Sequence, residues 1–204
     1  MRAMFYWATE EEEFDDNPTV GVKNIKYATK GHHSWTDYEI AQYQQRHPVS
    51  TKARLALDLL RFTTGRREDI PRLGPEHVSE GRIRFVQGKN EDRAPILIDI
   101  PVHEELAASI AATQTGEKTF LVTQWGKPFT TNGFGNWFRD RCNEAGLPHC
   151  SAHGVRKATA AALADNEATA HEIMSVTGHR SMKEVERYTL AADQAQIANR
   201  SSPT

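Results

Sequence analysis

The chain of 204 residues is long enough for one good hydrophobic core and little more than one domain. No apolar run approaches the ~18 residues that a membrane-spanning helix needs, and the two cysteines, Cys142 and Cys150, do not resemble a disulfide framework, so a reducing cytoplasm is the expected compartment. The formal net charge of −2 excludes a broadly basic nucleic-acid coat, but six acids fall in residues 1–20 against Arg2 alone, which leaves the remainder at a formal +3 with any phosphate contacts confined to local clusters.

Residues 1–16 open with apolar Met4, Phe5 and Trp7 and close in an acid run, and Asn17-Pro18 then breaks any helix. From Thr19 to Ser34 the chain is polar and basic with no amphipathic period, so 17–35 reads as a linker and His32-His33 as a solvated pair. Thr36 and Glu39 form a capping box with Trp35 as its hydrophobic staple, and a helix follows to about Arg46, where His47-Pro48 stops it. Leu55, Leu59 and Phe62 recur at helical spacing and predict a helix over 51–64 with those three facing inward. Gly65 is the expected terminator and presents Arg66. A short helix over 68–73 and a turn at 74–77 lead to the sheet.

The runs Arg82–Gln87 and Pro95–Ile100 are β-rich and flank a polar turn that contains Lys89, so they predict a hairpin, with Thr119–Thr123 as a third short strand. Between them Val102–Thr113 is helical. Thr131 is the expected cap of a helix to Ala145, on which Phe134, Trp137, Phe138 and Cys142 form a buried stripe. The spacing of Cys142, His149, Cys150 and His153 lacks the paired form of a structural zinc site, so ordinary packing is expected there. Helices are predicted over 153–164, 168–176 and 182–188, then an amphipathic tail over 191–199. The class is α+β, mostly helical with a small antiparallel hairpin or three-stranded sheet.

The last third of the chain concentrates the chemistry. His153 and Arg156 lie one helical turn apart, His179 follows Gly178, and Tyr188 stands nine residues beyond that histidine. A phenol is a poor nucleophile unless activated, and a stable leaving group once bonded to phosphorus. An arginine fork matches two phosphate oxygens, and a histidine can move a proton near neutrality. In this order the groups suggest a nucleophilic phosphate-handling site.

His153-x-x-Arg156, Gly178-His179 and Tyr188 resemble the C-terminal signature of the tyrosine recombinase (phage integrase) family. The family's first-arginine box is similar to Thr63-Thr64-Gly65-Arg66-Arg67-Glu68-Asp69, with Arg66 as the catalytic arginine, Asp69 as its acidic neighbour and Arg67 as the competitor one register away. Lys89 sits where the family places its hairpin lysine, although Asn90 and Glu91 follow it rather than Thr and Gly. The resemblance implies a recombinase catalytic domain over 36–204, with 1–16 either a remnant of the last core-binding helix or an ordinary N-terminal helix. It further implies attack by Tyr188 on a DNA phosphodiester, giving a 3′-phosphotyrosine and a free 5′-hydroxyl. Arg66, Arg156 and His179 would hold the non-bridging oxygens, Lys89 would protonate the leaving oxygen, and His153 would assist proton transfer. No cofactor or metal is expected. The implied partners are double-stranded DNA and further copies of the chain, a tetramer on DNA joined through the C-terminal segment. Three alternatives stay open: a truncated domain that binds DNA without recombining, a type IB topoisomerase-like enzyme, and a helix-turn-helix regulator.

Overall fold

The computed structural model describes residues 1–23, 31–88, 95–179, 181–183, 185–186 and 188–190. The chain divides into two compact units, Met1–Gly31 and His32–Thr204. In the first, α1 spans Arg2–Glu10, and Phe5 meets Phe14 edge to face with ring centroids 6.1 Å apart.

The second unit is built around one buried helix. α2 (Asp37–Arg46) starts at Thr36, whose side chain accepts the Glu39 N–H while Glu39 reaches back, as the capping box requires. α3 (Lys52–Thr63) follows, capped by Thr51. The expected inward face of α3 holds for Leu55 and Leu59, but Ala53, Ala56, Leu57, Leu60 and Asp58 are buried as well. A helix buried on nearly every side is a core helix, not a surface one. Phe62 is only partly buried and stacks on His103 at 4.1 Å. Asp58 keeps a carboxylate inside this core because the Arg54 Nε donates to both of its oxygens at 2.9–3.0 Å.

Helices α4 (Glu104–Ala112), α5 (Thr131–Glu144) and α6 (Ala152–Asp165) all pack against α3. The cap of α5 is Thr130, one residue before the expected Thr131, since its hydroxyl takes the Gly133 N–H. The α5 stripe of Phe134, Phe138 and Cys142 is fully buried, with Trp137 at its margin. α7 (Ala170–Thr177) packs against α6 around Ala160, Ala164 and Ile173.

The sheet is antiparallel in the order β1-β2-β3: β1 (Val78–Ser79), β2 (Arg82–Val86) and β3 (Leu97–Pro101). The hairpin register pairs Phe85 with Ile98 and Val86 with Leu97, putting Ile83, Phe85 and Ile98 into the core. The third strand is Val78–Ser79, not Thr119–Thr123, which makes only an isolated bridge from Val122 to Pro128. Among the described residues no helix is long and apolar enough to cross a membrane.

Candidate active site

Three helix ends and one hairpin end meet at the groups singled out in the sequence. α3 ends at Thr64, not Gly65, with Thr64 itself in the left-handed conformation at φ 53°. A β-branched residue there is strained by on the order of 1–3 kcal/mol, a cost usually tolerated where function fixes the backbone. The Thr64 hydroxyl donates to Val176 O at 2.7 Å, tying the end of α3 to α7. The Thr64 carbonyl accepts from Arg156 Nη1, and the Thr177 carbonyl at the end of α7 accepts from Arg156 Nη2. Arg156 is buried, and its charge is bedded on two helix C-terminal carbonyls, the negative ends of their dipoles.

Thr177 organises its surroundings. Its carbonyl also accepts from the buried Gln87 Nε2 at 3.0 Å, which locks the end of β2 against α7. Gly178 then takes φ 68° as the α7 cap, and a Cβ at that position would stand 2.8 Å from the Gln87 amide. Only glycine satisfies both the dihedral and the close approach. The Thr177 hydroxyl has one proton, and it donates that proton to Ile173 O at 2.6 Å. Its contact with His179 Nδ1 must therefore be accepted, so Nδ1 carries the imidazole proton and Nε2 keeps its lone pair.

Arg66 follows the strained turn. Asp69, buried, accepts the Arg66 N–H through Oδ2 and the Gly88 N–H through Oδ1, each at 2.8 Å. One carboxylate thus fixes both the arginine's backbone and the residue just before Lys89. Lys89 itself lies outside the described residues. Arg67 points elsewhere: its guanidinium lies over Gly135 of α5, close enough that a Cβ there would stand 2.8 Å from Nη1.

Burial, then the charges of Arg156, Arg66 and His153, hold the His179 pKa down to about 4. Burial, followed by His32 and then Arg156, Lys157 and Arg66, lowers that of His153. The charges of Arg66 and Arg156 thus lie close enough to depress both imidazoles. The ring of His153 also meets His32 with centroids 4.6 Å apart, and His32 stays exposed, as expected, while making this contact. Tyr188, on a helical stretch, is half-buried against the cluster of Ala160, Ala164, Ile173 and Val185.

Sequence reading missed Gln87, Thr64 and Thr177. Gln87 had a signal: alternation from Ile83 and Phe85 puts a polar side chain on the buried face of β2. The two threonines hold Arg156 through backbone carbonyls, which no residue pattern announces.

The arrangement can do one kind of chemistry well: bind an oxyanion among two guanidiniums and two imidazoles. Several solved structures are similar. A lambda integrase (75-356) dimer bound to a COC' core site is 18% identical with TM-score 0.73, covering 92% of this chain and 69% of that one. XerA recombinase is 16% identical with TM-score 0.69, covering 93% and 71%. The Tn1549 transposon integrase (aa 82-397) in complex with circular intermediate DNA is 16% identical with TM-score 0.69, covering 97% and 76%. No curated protein sequence matches the chain. The phage integrase family matches residues 38–195, a span that takes in the arginine turn, the hairpin, His153, Arg156, His179 and Tyr188. The chain belongs to the phage integrase family, the tyrosine-type site-specific DNA recombinases.

Proposed function

We propose that this chain cuts and rejoins DNA with Tyr188 as nucleophile and Arg66, Lys89, His153, Arg156 and His179 around the reacting phosphate. The observation that carries the reading is that Arg156 donates to the Thr64 and Thr177 carbonyls, which brings its guanidinium to the turn that leads into Arg66 and to the cap that leads into His179. In the step, the Tyr188 oxygen forms a bond to phosphorus and loses its proton. The bond from phosphorus to the 5′-oxygen breaks, and that oxygen takes a proton from Lys89. A second strand's 5′-hydroxyl reverses the exchange, so bond energy is conserved and no nucleotide is consumed. Arg66 and Arg156 hold the non-bridging oxygens as charge builds on them, the term that usually dominates such catalysis.

His179 has a two-stage role in this account. In the resting chain it is neutral with Nε2 unprotonated. An incoming phosphate offsets the two arginine charges that depress it, so Nε2 takes up a proton and donates to a non-bridging oxygen. His153 is the partner for the phenolic proton.

The partner is duplex DNA, in keeping with the DNA held by the similar lambda and Tn1549 integrases, and the chain works as an oligomer, as in the lambda integrase tetramer bound to a Holliday junction. The C-terminal segment is the proposed link between copies; 191–204 lie outside the described residues. Residues 36–204 are the proposed catalytic domain, 17–35 the linker, and 1–16, which carries α1, either a remnant of the last core-binding helix or an ordinary N-terminal helix.

The test of the arginine register is direct. On a nicked DNA substrate, Arg66→Ala should slow formation of the covalent adduct by ~10²–10³, the usual effect of losing one oxyanion donor. Arg67→Ala should form it at nearly the parental rate. Equal losses in both variants would overturn the assignment.

A further inference from the structure

Away from the phosphate-binding groups, four metal-ligating side chains from three segments converge. His33 comes from the irregular segment before α2, Glu39 from the first turn of α2, and His149 and Cys150 from the turn before α6. Their ligand atoms all lie within 4.8 Å of one another. From this geometry we propose a zinc(II) site formed by His33 Nε2, Glu39 Oε1, His149 Nε2 and Cys150 Sγ.

The donor set argues for the ion. Two imidazoles, one thiolate and one carboxylate are borderline ligands that zinc accepts in a four-coordinate tetrahedral site. At zinc bond lengths the tetrahedral edge is about 3.3–3.7 Å. The pairs stand inside that, at hydrogen-bond separation: both carboxylate oxygens lie 2.9 Å from His33 Nε2, and Oε1 lies 2.5 Å from His149 Nε2. The two imidazole rings meet edge to face with centroids 4.9 Å apart, so a small outward rotation of each opens the tetrahedron.

Glu39 is divided between two tasks. Oε2 accepts the Thr36 N–H at 2.7 Å and its hydroxyl at 3.0 Å, completing the helix cap. Oε1 faces the histidines. Burial pushes this carboxyl up, but the hydrogen bonds from Thr36, His33 and His149 outweigh it and hold the group at about 2, so the ligand is ionised throughout the physiological range. Cys150 is buried, and burial with the Glu39 charge pushes its thiol up to about 12. A dication reverses that balance: coordination displaces the thiol proton to solvent. The side chains of His33 and His149 are 40% and 52% exposed, which gives the ion a path in.

The cluster sits where a fastener matters. His33 is adjacent to His32, whose ring touches His153 and whose carbonyl accepts from Lys157 Nζ at 2.7 Å. Cys150 is three residues from His153, and the first turn of α6 is held so close that a Cβ on Gly154 would meet the Trp35 ring at 2.8 Å. The ion would tie the segment carrying His32 to the helix carrying His153 and Arg156.

Cobalt(II) is the spectroscopic probe. Titrating the reduced, metal-stripped chain under anaerobic conditions should give tetrahedral d–d bands and a thiolate-to-cobalt charge-transfer band that saturate at one ion per chain. Zinc(II) should displace them. The charge-transfer band should disappear in Cys150→Ser, and His149→Ala should weaken binding at least tenfold; His149 is exposed enough that this variant keeps its fold, as circular dichroism will show. Cys142→Ser should leave the spectrum unchanged. Three results would overturn the site: no charge-transfer band with the folded parent, a band that survives Cys150→Ser, or one lost in Cys142→Ser. None of these outcomes bears on Tyr188 chemistry, so the two proposals stand or fall separately.

Discussion

The carbonyl of Thr177 accepts from Gln87 and from Arg156, while its hydroxyl accepts from His179, so one residue sets the positions of three others. Its neighbour Gly178 is where this arrangement is most sensitive. Alanine there would occupy a left-handed backbone at a cost of roughly 1–2 kcal/mol, and its methyl would press on the Gln87 amide. Gly178→Ala should therefore lower the urea midpoint, and adding Gln87→Ala should recover the packing part of the loss but not the dihedral part. If the double variant is no more stable than the single one beyond the loss of Gln87 itself, the contact is not what limits the site. His179 offers a second reading at the same scale. Its depressed pKa means that the unfolded chain, with a value near 6.5, takes up this proton before the folded chain does. Its contribution to stability is complete above that value, falls as the pH drops from about 6.5 towards 4, and is constant below. Imidazole nitrogen NMR at neutral pH should show a neutral ring protonated at Nδ1, moving towards the doubly protonated form when a phosphate-like oxyanion is added. A ring protonated at Nε2 in the free chain would contradict the hydrogen-bond argument.

At the scale of elements, Asp69 joins the α3 turn to the hairpin. Hydrogen bonds to a charged group are worth about 1.5–3 kcal/mol each, and this buried carboxylate takes two backbone N–H groups. Asp69→Asn keeps the shape but removes the charge and can offer one donor in place of an acceptor. We expect faster hydrogen exchange at Gly88 and slower adduct formation, with the α5 and α6 amides unchanged; unchanged exchange at Gly88 would mean that the hairpin is held by other means. The elements also show what a sequence discloses. The proposed site residues Arg66, His153, Arg156, His179 and Tyr188 could be picked out because the motif spacing around them is local: a turn, one helical step, a cap, a short helix. β1 was not legible, because two residues carry no period, and Thr119–Thr123 looked like a strand by composition alone. The burial of α3 on nearly every side exceeded its apolar stripe because three helices enclose it. His33 is exposed, as expected, but its partners Glu39 and His149 were not disclosed, since they come from different segments. Long-range partners of that kind are fixed only by the fold.

For the whole molecule, the charge distribution and the site have to be reconciled. With a formal −2 overall and six acids in residues 1–20, attraction to DNA must come from the site and local basic clusters rather than from a basic face. Arg156→Ala should then act twice: it removes an oxyanion donor, costing about 3–4 kcal/mol in the transition state, and it leaves the Thr64 carbonyl without this partner. Both the adduct rate and the thermal midpoint should fall, and Arg156→Lys should restore little, since a lysine cannot reach both carbonyls as the fork does. The central claim is that Tyr188 becomes joined to DNA. We would incubate the chain with a pool of nicked duplexes of random sequence at low salt and look for a protein–DNA adduct on a denaturing gel, mapping the modified peptide by mass spectrometry. We expect an adduct in which Tyr188 is joined to a DNA 3′-phosphate, absent in Tyr188→Phe, which still folds and still shifts the DNA. An adduct that persists in Tyr188→Phe, or maps to another residue, would contradict it.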